Sequence, residues 1–233
     1  MPVCKVASSS FISFFNEAIL ASGDEIISTS RRMVTTQRRR EIYMTYGLGG
    51  KSQEFLDDFS KNRHEYFIFA FVRNPLSRLV SSYFELLRRL KHKNNERKGL
   101  PWAEIRDIAT DNGKHELDFE RFVDFVVNKE KDFTDYINYH WRPQHIILNK
   151  ILNNPRIKSI FKDDELYDFI GHLENFDEDL KVVLNRTKIK YKKFPWLLKS
   201  PTYNYKNFYN DETLNMAYGH YEKDFNLLGY EEQ

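Results

Sequence analysis

A single cysteine in 233 residues excludes a disulfide-stapled scaffold and every cysteine-rich metal module. Glycine and proline are also scarce, at nine and seven, so the chain is neither collagen-like nor dominated by linkers. The longest strongly apolar run, residues 67–72, is far short of the roughly 18 residues that mark a membrane helix. The first residues, Met1-Pro2-Val3-Cys4-Lys5, lack the apolar centre of a signal peptide. Neither sign of charge dominates: 36 basic and 34 acidic groups leave a net charge of +2. That balance argues against a surface built to grip nucleic acid along its length, and it leaves room for a local anion site.

What is present is a folded chain. Hydrophobic residues make up 41% and aromatics 15%, with 19 Phe and 14 Tyr, which outweighs a mean hydropathy of −0.65. With domains averaging about 150 residues, and no visible linker, residues 1–233 read as one domain. Charge is uneven along it. Five arginines fall within residues 31–40 without an acid, and residues 162–179 hold eight acids and one lysine. Both runs read first as solvated surface; the basic run could alternatively attract an anionic substrate.

Periodicity places the elements. Residues 10–21 read as a helix with Phe11, Phe15 and Ala18 on one face. Residues 65–73 (EYFIFAFVR) are apolar without alternation, as in a strand buried on both faces of a parallel sheet. Asn74-Pro75 then supplies a capping side chain and a proline for the first helical position. The helix beyond carries Leu76, Leu79, Val80, Tyr83, Leu87 and Leu90 at helical spacing. Three more helices are expected after Asp118, Asp177 and Asp211, the last stopping near Gly229. Residues 91–114 are polar and read as an exposed insertion. Strands between helices predict an α/β fold with a mainly parallel sheet.

Two places combine a helix start with small or basic residues. Lys5, Val6, Ala7, Ser8, Ser9 and Ser10 precede the first helix, where exposed N–H groups and the helix dipole favour an anion. They do not form G-x-x-x-x-G-K-S/T, so an ordinary nucleotide P-loop is absent, and serines before a helix also serve as plain caps. Arg73 ends the buried strand, and Arg78, Ser81, Ser82 and Glu85 follow as a polar stripe opposite the leucines. Ligands of open α/β sheets sit beyond strand C-termini, and an arginine there suits a phosphate. The alternative for the stripe is a solvated helix face.

These residues resemble a known family. Phe71-Val72-Arg73-Asn74-Pro75-Leu76-Ser77-Arg78-Leu79-Val80-Ser81-Ser82-Tyr83 is similar to the 3′-phosphate motif F-V-R-D-P-x-x-R-L-V-S-x-Y of the family-2 carbohydrate sulfotransferases. Cys4–Phe11 resembles that family's 5′-phosphosulfate loop, P-K-V-x-C-T-x-W. His140-Trp141-Arg142-Pro143-Gln144 resembles its H-W-x-P-Q segment, and residues 167–174 (YDFIGHLE) resemble Y-D-x-I-G-x-x-E. Tyr221, Asp224, Phe225, Gly229 and Tyr230 match its closing helix, and the matches keep family order from residue 4 to residue 230.

The resemblance implies a P-loop NTPase-like three-layer fold, a central mainly parallel sheet flanked by helices. It implies transfer of a sulfuryl group from 3′-phosphoadenosine 5′-phosphosulfate (PAPS) to an acceptor hydroxyl, on a carbohydrate, with adenosine 3′,5′-bisphosphate as product and no metal. Lys5 and the Val6–Ser10 loop would hold the 5′ end, with Lys5 neutralising the leaving oxygen; Arg73 and Ser81 would hold the 3′-phosphate. His140 is the first candidate for the base that takes the acceptor proton, then Glu174, with His64 third. Trp141 and Arg142 are candidates to line the acceptor site or, alternatively, to pack. A degenerate member that binds nucleotide or acidic glycan without transfer is the competing reading, and no nucleic-acid partner is expected.

The pattern is not followed everywhere. Asn74 replaces the usual Asp, Ser8-Ser9-Ser10 replaces Cys-Thr-Asn, and Cys4 replaces Pro. The strand expected before Lys5 is almost missing, so the domain is expected to begin late. Ile146-Ile147 occupies the place of the paired cysteines of the Golgi members. One cysteine and no anchor fit the cytoplasm; the alternative is the Golgi lumen, for a member shortened at its N-terminus.

Overall fold

The computed structural model describes residues 10, 11, 13, 14, 57, 60–91, 102–129, 138–149, 158, 166–188, 194–196 and 203–231. They belong to two compact units. One comprises Met1–Val72 and Ile146–Lys199, the other Arg73–His145 and Ser200–Gln233.

The first unit holds a two-stranded parallel sheet. Strand β1 (Phe69–Val72) pairs with β2 (Phe169–His172) in the register Phe69↔Phe169 to Val72↔His172. The apolar run 65–73 is thus strand only in its second half. Before it, Asp168 acts as a clamp: Oδ2 accepts the Ile68 N–H at 2.6 Å and Oδ1 pairs with Arg63 at 3.0 Å. Gly171 lies opposite Phe71 because nothing larger fits. A Cβ there would fall 2.7 Å from the Phe71 ring. That ring also packs on Phe11 and Phe176, with centroids 4.6 and 5.8 Å away, and Phe194 closes the group at 5.1 Å from Phe11. Residues 10, 11, 13 and 14 are helical as expected, and Phe11 and Phe14 are buried; Phe15 and Ala18 lie outside the described residues.

The second unit is helical. Helix α1 (Pro75–Lys91) follows β1 in the chain after two residues, with Pro75 at its first position. Asn74 Oδ1 accepts the Ser77 N–H at 3.1 Å, the cap expected of either Asn or Asp. Its core face is Leu76, Leu79, Val80, Tyr83 and Leu86; Leu87 and Leu90 are only partly buried. Helix α2 (Trp102–Ala109) corrects the expectation of an exposed insertion over 91–114 for its own span. Ile105 and Ala109 are buried in the unit's core, because the polar residues around them occupy the helix's other faces. Helix α3 (Phe119–Asp124) is capped by Asp118, whose Oδ1 accepts the Arg121 N–H at 2.8 Å, and runs into a wider turn over Phe125–Lys129. After a short turn at Asn138–His140, helix α4 (Gln144–Asn149) begins.

Helix α5 (Phe176–Thr187) follows β2 in the first unit. It starts one residue before Asp177, with Asn175 at the cap position. Helix α6 (Asp211–Leu228) ends the second unit. The expected cap Asp211 is replaced by Asn210, which forms a reciprocal box with Thr213 and leaves Asp211 in the first turn. Gly229 stops the helix at φ +70°, a left-handed conformation suited to glycine. The core of this unit joins α1, α2, α3 and α6 around Phe122, Phe125, Trp141, Tyr221 and Phe225.

Candidate functional site

Arg73 is the first residue past β1, whose ladder ends at Val72↔His172. Its N–H and C=O therefore need other partners. The side-chain amide of Gln144 supplies both: Oε1 accepts the Arg73 N–H at 3.0 Å, and Nε2 donates to the Arg73 carbonyl at 2.7 Å. Gln144 is fully buried. The Arg73 side chain is steered by Ser77 one helical turn on, where Nε donates to Oγ at 3.0 Å.

The polar stripe on α1 faces inward, which corrects the alternative of a solvated helix face. Arg78 is fully buried, and its guanidinium donates to the carbonyls of Arg142 at 2.8 Å and Tyr139 at 3.0 Å. Ser82 Oγ shares its proton between the His140 carbonyl at 2.7 Å and the Arg78 carbonyl at 2.9 Å. Ser81, expected at the 3′-phosphate, exposes 2% of its surface. Glu85 ends the stripe in ion pairs with Arg88 at 2.6 Å and Arg89 at 2.7 Å. The stripe is thus the seam that holds residues 139–142 against α1.

That seam places three further candidates. His140 is half-buried at the end of the Asn138–His140 turn. Trp141 is fully buried, edge-on to Phe122 with centroids 5.5 Å apart, and its carbonyl accepts from the Tyr221 hydroxyl. Its surroundings are those of a packing residue, with Phe125 a second edge-to-face neighbour at 6.1 Å. The Arg142 guanidinium lies 6.0 Å from the centre of the Tyr139 ring.

Beyond the segment, the Asp224 carboxylate is fully buried. It accepts the N–H of Gln144 at 2.6 Å and of His145 at 2.8 Å, and the His145 Nδ1 lies 2.7 Å from Oδ1. One turn earlier on α6, burial holds the His220 imidazole below its ordinary value; Asp224 opposes that and His145 adds to it.

Lys5, Val6, Ala7, Ser8 and Ser9 lie outside the described residues. Ser10 is fully buried in the first unit. Glu174 is exposed in the turn Leu173–Asn175 that follows β2, and His64 is exposed before β1. Among the described residues no cluster of His, Cys, Asp or Glu is placed to hold a metal, and no helix is long and apolar enough to cross a membrane.

The structure thus joins Arg73 to the H-W-R-P-Q segment and that segment to Asp224. From the sequence Gln144 and Asp224 have no role of their own; the signal for them is that both match positions of the family pattern.

Arg73 thus follows β1 in the chain and precedes the capped start of α1, with its backbone held by a buried amide. Residues 3–231 match the model of the sulfotransferase family, so the chain belongs to that family, and sulfuryl transfer to an acceptor is the general activity it brings. No curated protein and no solved structure matches the chain.

Proposed function

We propose that this protein transfers the sulfuryl group of PAPS to a hydroxyl of a carbohydrate acceptor, on a three-layer P-loop-like fold. The observation that carries the proposal is Arg73, the family's 3′-phosphate residue, held by its backbone to Gln144 and by its side chain to Ser77. The described residues fit the donor's 3′ end: an oriented guanidinium beside the N-terminus of a 17-residue helix offers charge-assisted donors to a phosphate. PAPS is anionic at both ends, and the resemblance assigns the 5′ end to Lys5 and Val6–Ser10.

In the reaction the acceptor oxygen forms a bond to sulfur while the bond from sulfur to the bridging phosphate oxygen breaks. The electron pair of the broken bond stays on that oxygen, where Lys5 neutralises it. Donors placed for such charge are each worth roughly 3–4 kcal/mol. The acceptor proton goes to His140, and positioned bases of this kind contribute roughly 10²–10⁴-fold. Support for His140 over Glu174 comes from its setting. Three bonds from Arg78 and Ser82 grip the backbone of residues 139, 140 and 142, so the imidazole is carried on a fixed support.

The test is incubation with PAPS and a panel of glycans and small hydroxylated acceptors, read by mass spectrometry for an added sulfate. His140→Ala is expected to lose at least about 10²-fold in kcat with donor binding retained. Donor binding without transfer to any acceptor would favour the degenerate alternative.

A further inference from the structure

We infer that Gln144 and Asp224 are positioning residues for Arg73, setting the protein's preference for a ligand with a 3′-phosphate; this rests on the donor site proposed above. Arg73 lies where the sheet ladder has ended, so its main chain has lost the pairing that would hold a strand residue in place. Gln144 replaces that pairing with one planar group. Because the same amide takes the Arg73 N–H at 3.0 Å and gives to its C=O at 2.7 Å, both backbone dihedrals of Arg73 are bracketed. The Cα–Cβ direction is thereby set, and Ser77 then sets the guanidinium.

Gln144 is itself held. Its N–H and that of His145 converge on the two oxygens of Asp224, at 2.6 and 2.8 Å, and the His145 ring adds a third contact at 2.7 Å. Both Gln144 and Asp224 are fully buried. A buried carboxylate is a poor choice for stability alone, since its desolvation is offset only by well-placed donors. Here one donor is the N–H of the residue that grips Arg73, and the others come from its neighbour His145. The relay therefore runs from α6 through Asp224 and Gln144 to Arg73, and neither relay residue needs to touch the ligand.

The test measures two affinities by calorimetry, for adenosine 3′,5′-bisphosphate and for adenosine 5′-phosphate, in wild type, Arg73→Ala, Gln144→Met and Asp224→Asn. Their ratio isolates the 3′-phosphate. Wild type is expected to prefer the bisphosphate, and Arg73→Ala to lose that preference by roughly 10- to 100-fold. Gln144→Met, similar in size but unable to bond the backbone, is expected to lose most of the same ratio and to add little in combination with Arg73→Ala. Asp224→Asn is expected to show a smaller loss in the same direction. If Gln144→Met does not fold, Gln144→Glu serves, since it keeps the shape and presents an oxygen to the Arg73 carbonyl; it too is expected to lose the ratio. A wild type without the preference would overturn the donor site itself. A wild type with the preference, retained by the Gln144 variant while both affinities fall together, would overturn the positioning role alone.

Discussion

The buried guanidinium of Arg78 donates to the backbone carbonyl of Arg142 at 2.8 Å, across 64 residues of sequence. A second donor of the same fork reaches Tyr139 at 3.0 Å. One side chain thus ties the strand-following helix α1 to the segment that carries His140.

Lysine cannot reproduce that fork. Arg78→Lys offers one ammonium where two divergent donors are needed, and one of the two carbonyls loses its bond to α1. The expected loss is about 1–3 kcal/mol in denaturant unfolding, and more for Arg78→Ala, which leaves both carbonyls without their donor. An Arg78→Ala protein as stable as wild type would remove the seam from the account.

Gly171→Ala should strain the first unit. Its Cβ would lie 2.7 Å from Phe71 Cε1, and relief requires that ring to shift within a cluster that includes Phe11 and Phe176. Overpacking of this kind costs about 1–3 kcal/mol. Pairing it with Phe71→Leu should recover part of the loss in a double-mutant cycle, whereas additive losses would show that the contact is unimportant.

The cap of α6 is open to a simpler check. Asn210 accepts the Thr213 N–H at 2.8 Å and donates to Glu120 at 2.7 Å. Asn210→Ala should destabilise by about 1 kcal/mol, and Asp211→Ala by less, since Asp211 lies one residue inside the helix. Equal losses from the two would return the cap to Asp211.

His220 gives the pH dependence a sign. Burial, its largest influence, lowers its pKa from the ordinary 6.5, so the folded state favours the neutral ring. Between that value and the lower folded one, the unfolded chain binds more protons, and stability falls as pH falls. His220→Gln should flatten this slope in unfolding measured at pH 7.5 and stepwise downward. An unchanged slope would assign it to other groups.

Much of the local structure was legible in the sequence because its causes are local. Asn74-Pro75 started a helix, Asp118 capped one and Gly229 stopped one, each through bonds within a few residues. The cap of α6 was misplaced by one residue because Asn and Asp are nearly equal caps, and only the Thr213 partner distinguishes them. The stripe on α1 was legible as a stripe but not in its direction. Polar residues at helical spacing look the same whether they face water or the carbonyls of residues 139, 140 and 142. Gln144 was harder still: its bonds to Arg73 span 71 residues and depend on where the sheet ladder ends. The burial of Trp141 followed from the aromatic core around it, which no pattern within 140–144 reveals.

Arg73 is proposed to hold the 3′-phosphate of a sulfuryl donor. Calorimetric titration of adenosine 3′,5′-bisphosphate into the wild-type protein and into Arg73→Ala tests it most directly. Saturable binding to wild type and a loss of roughly 10- to 100-fold in the variant are expected. No binding to folded wild type, or equal binding to both proteins, would contradict it.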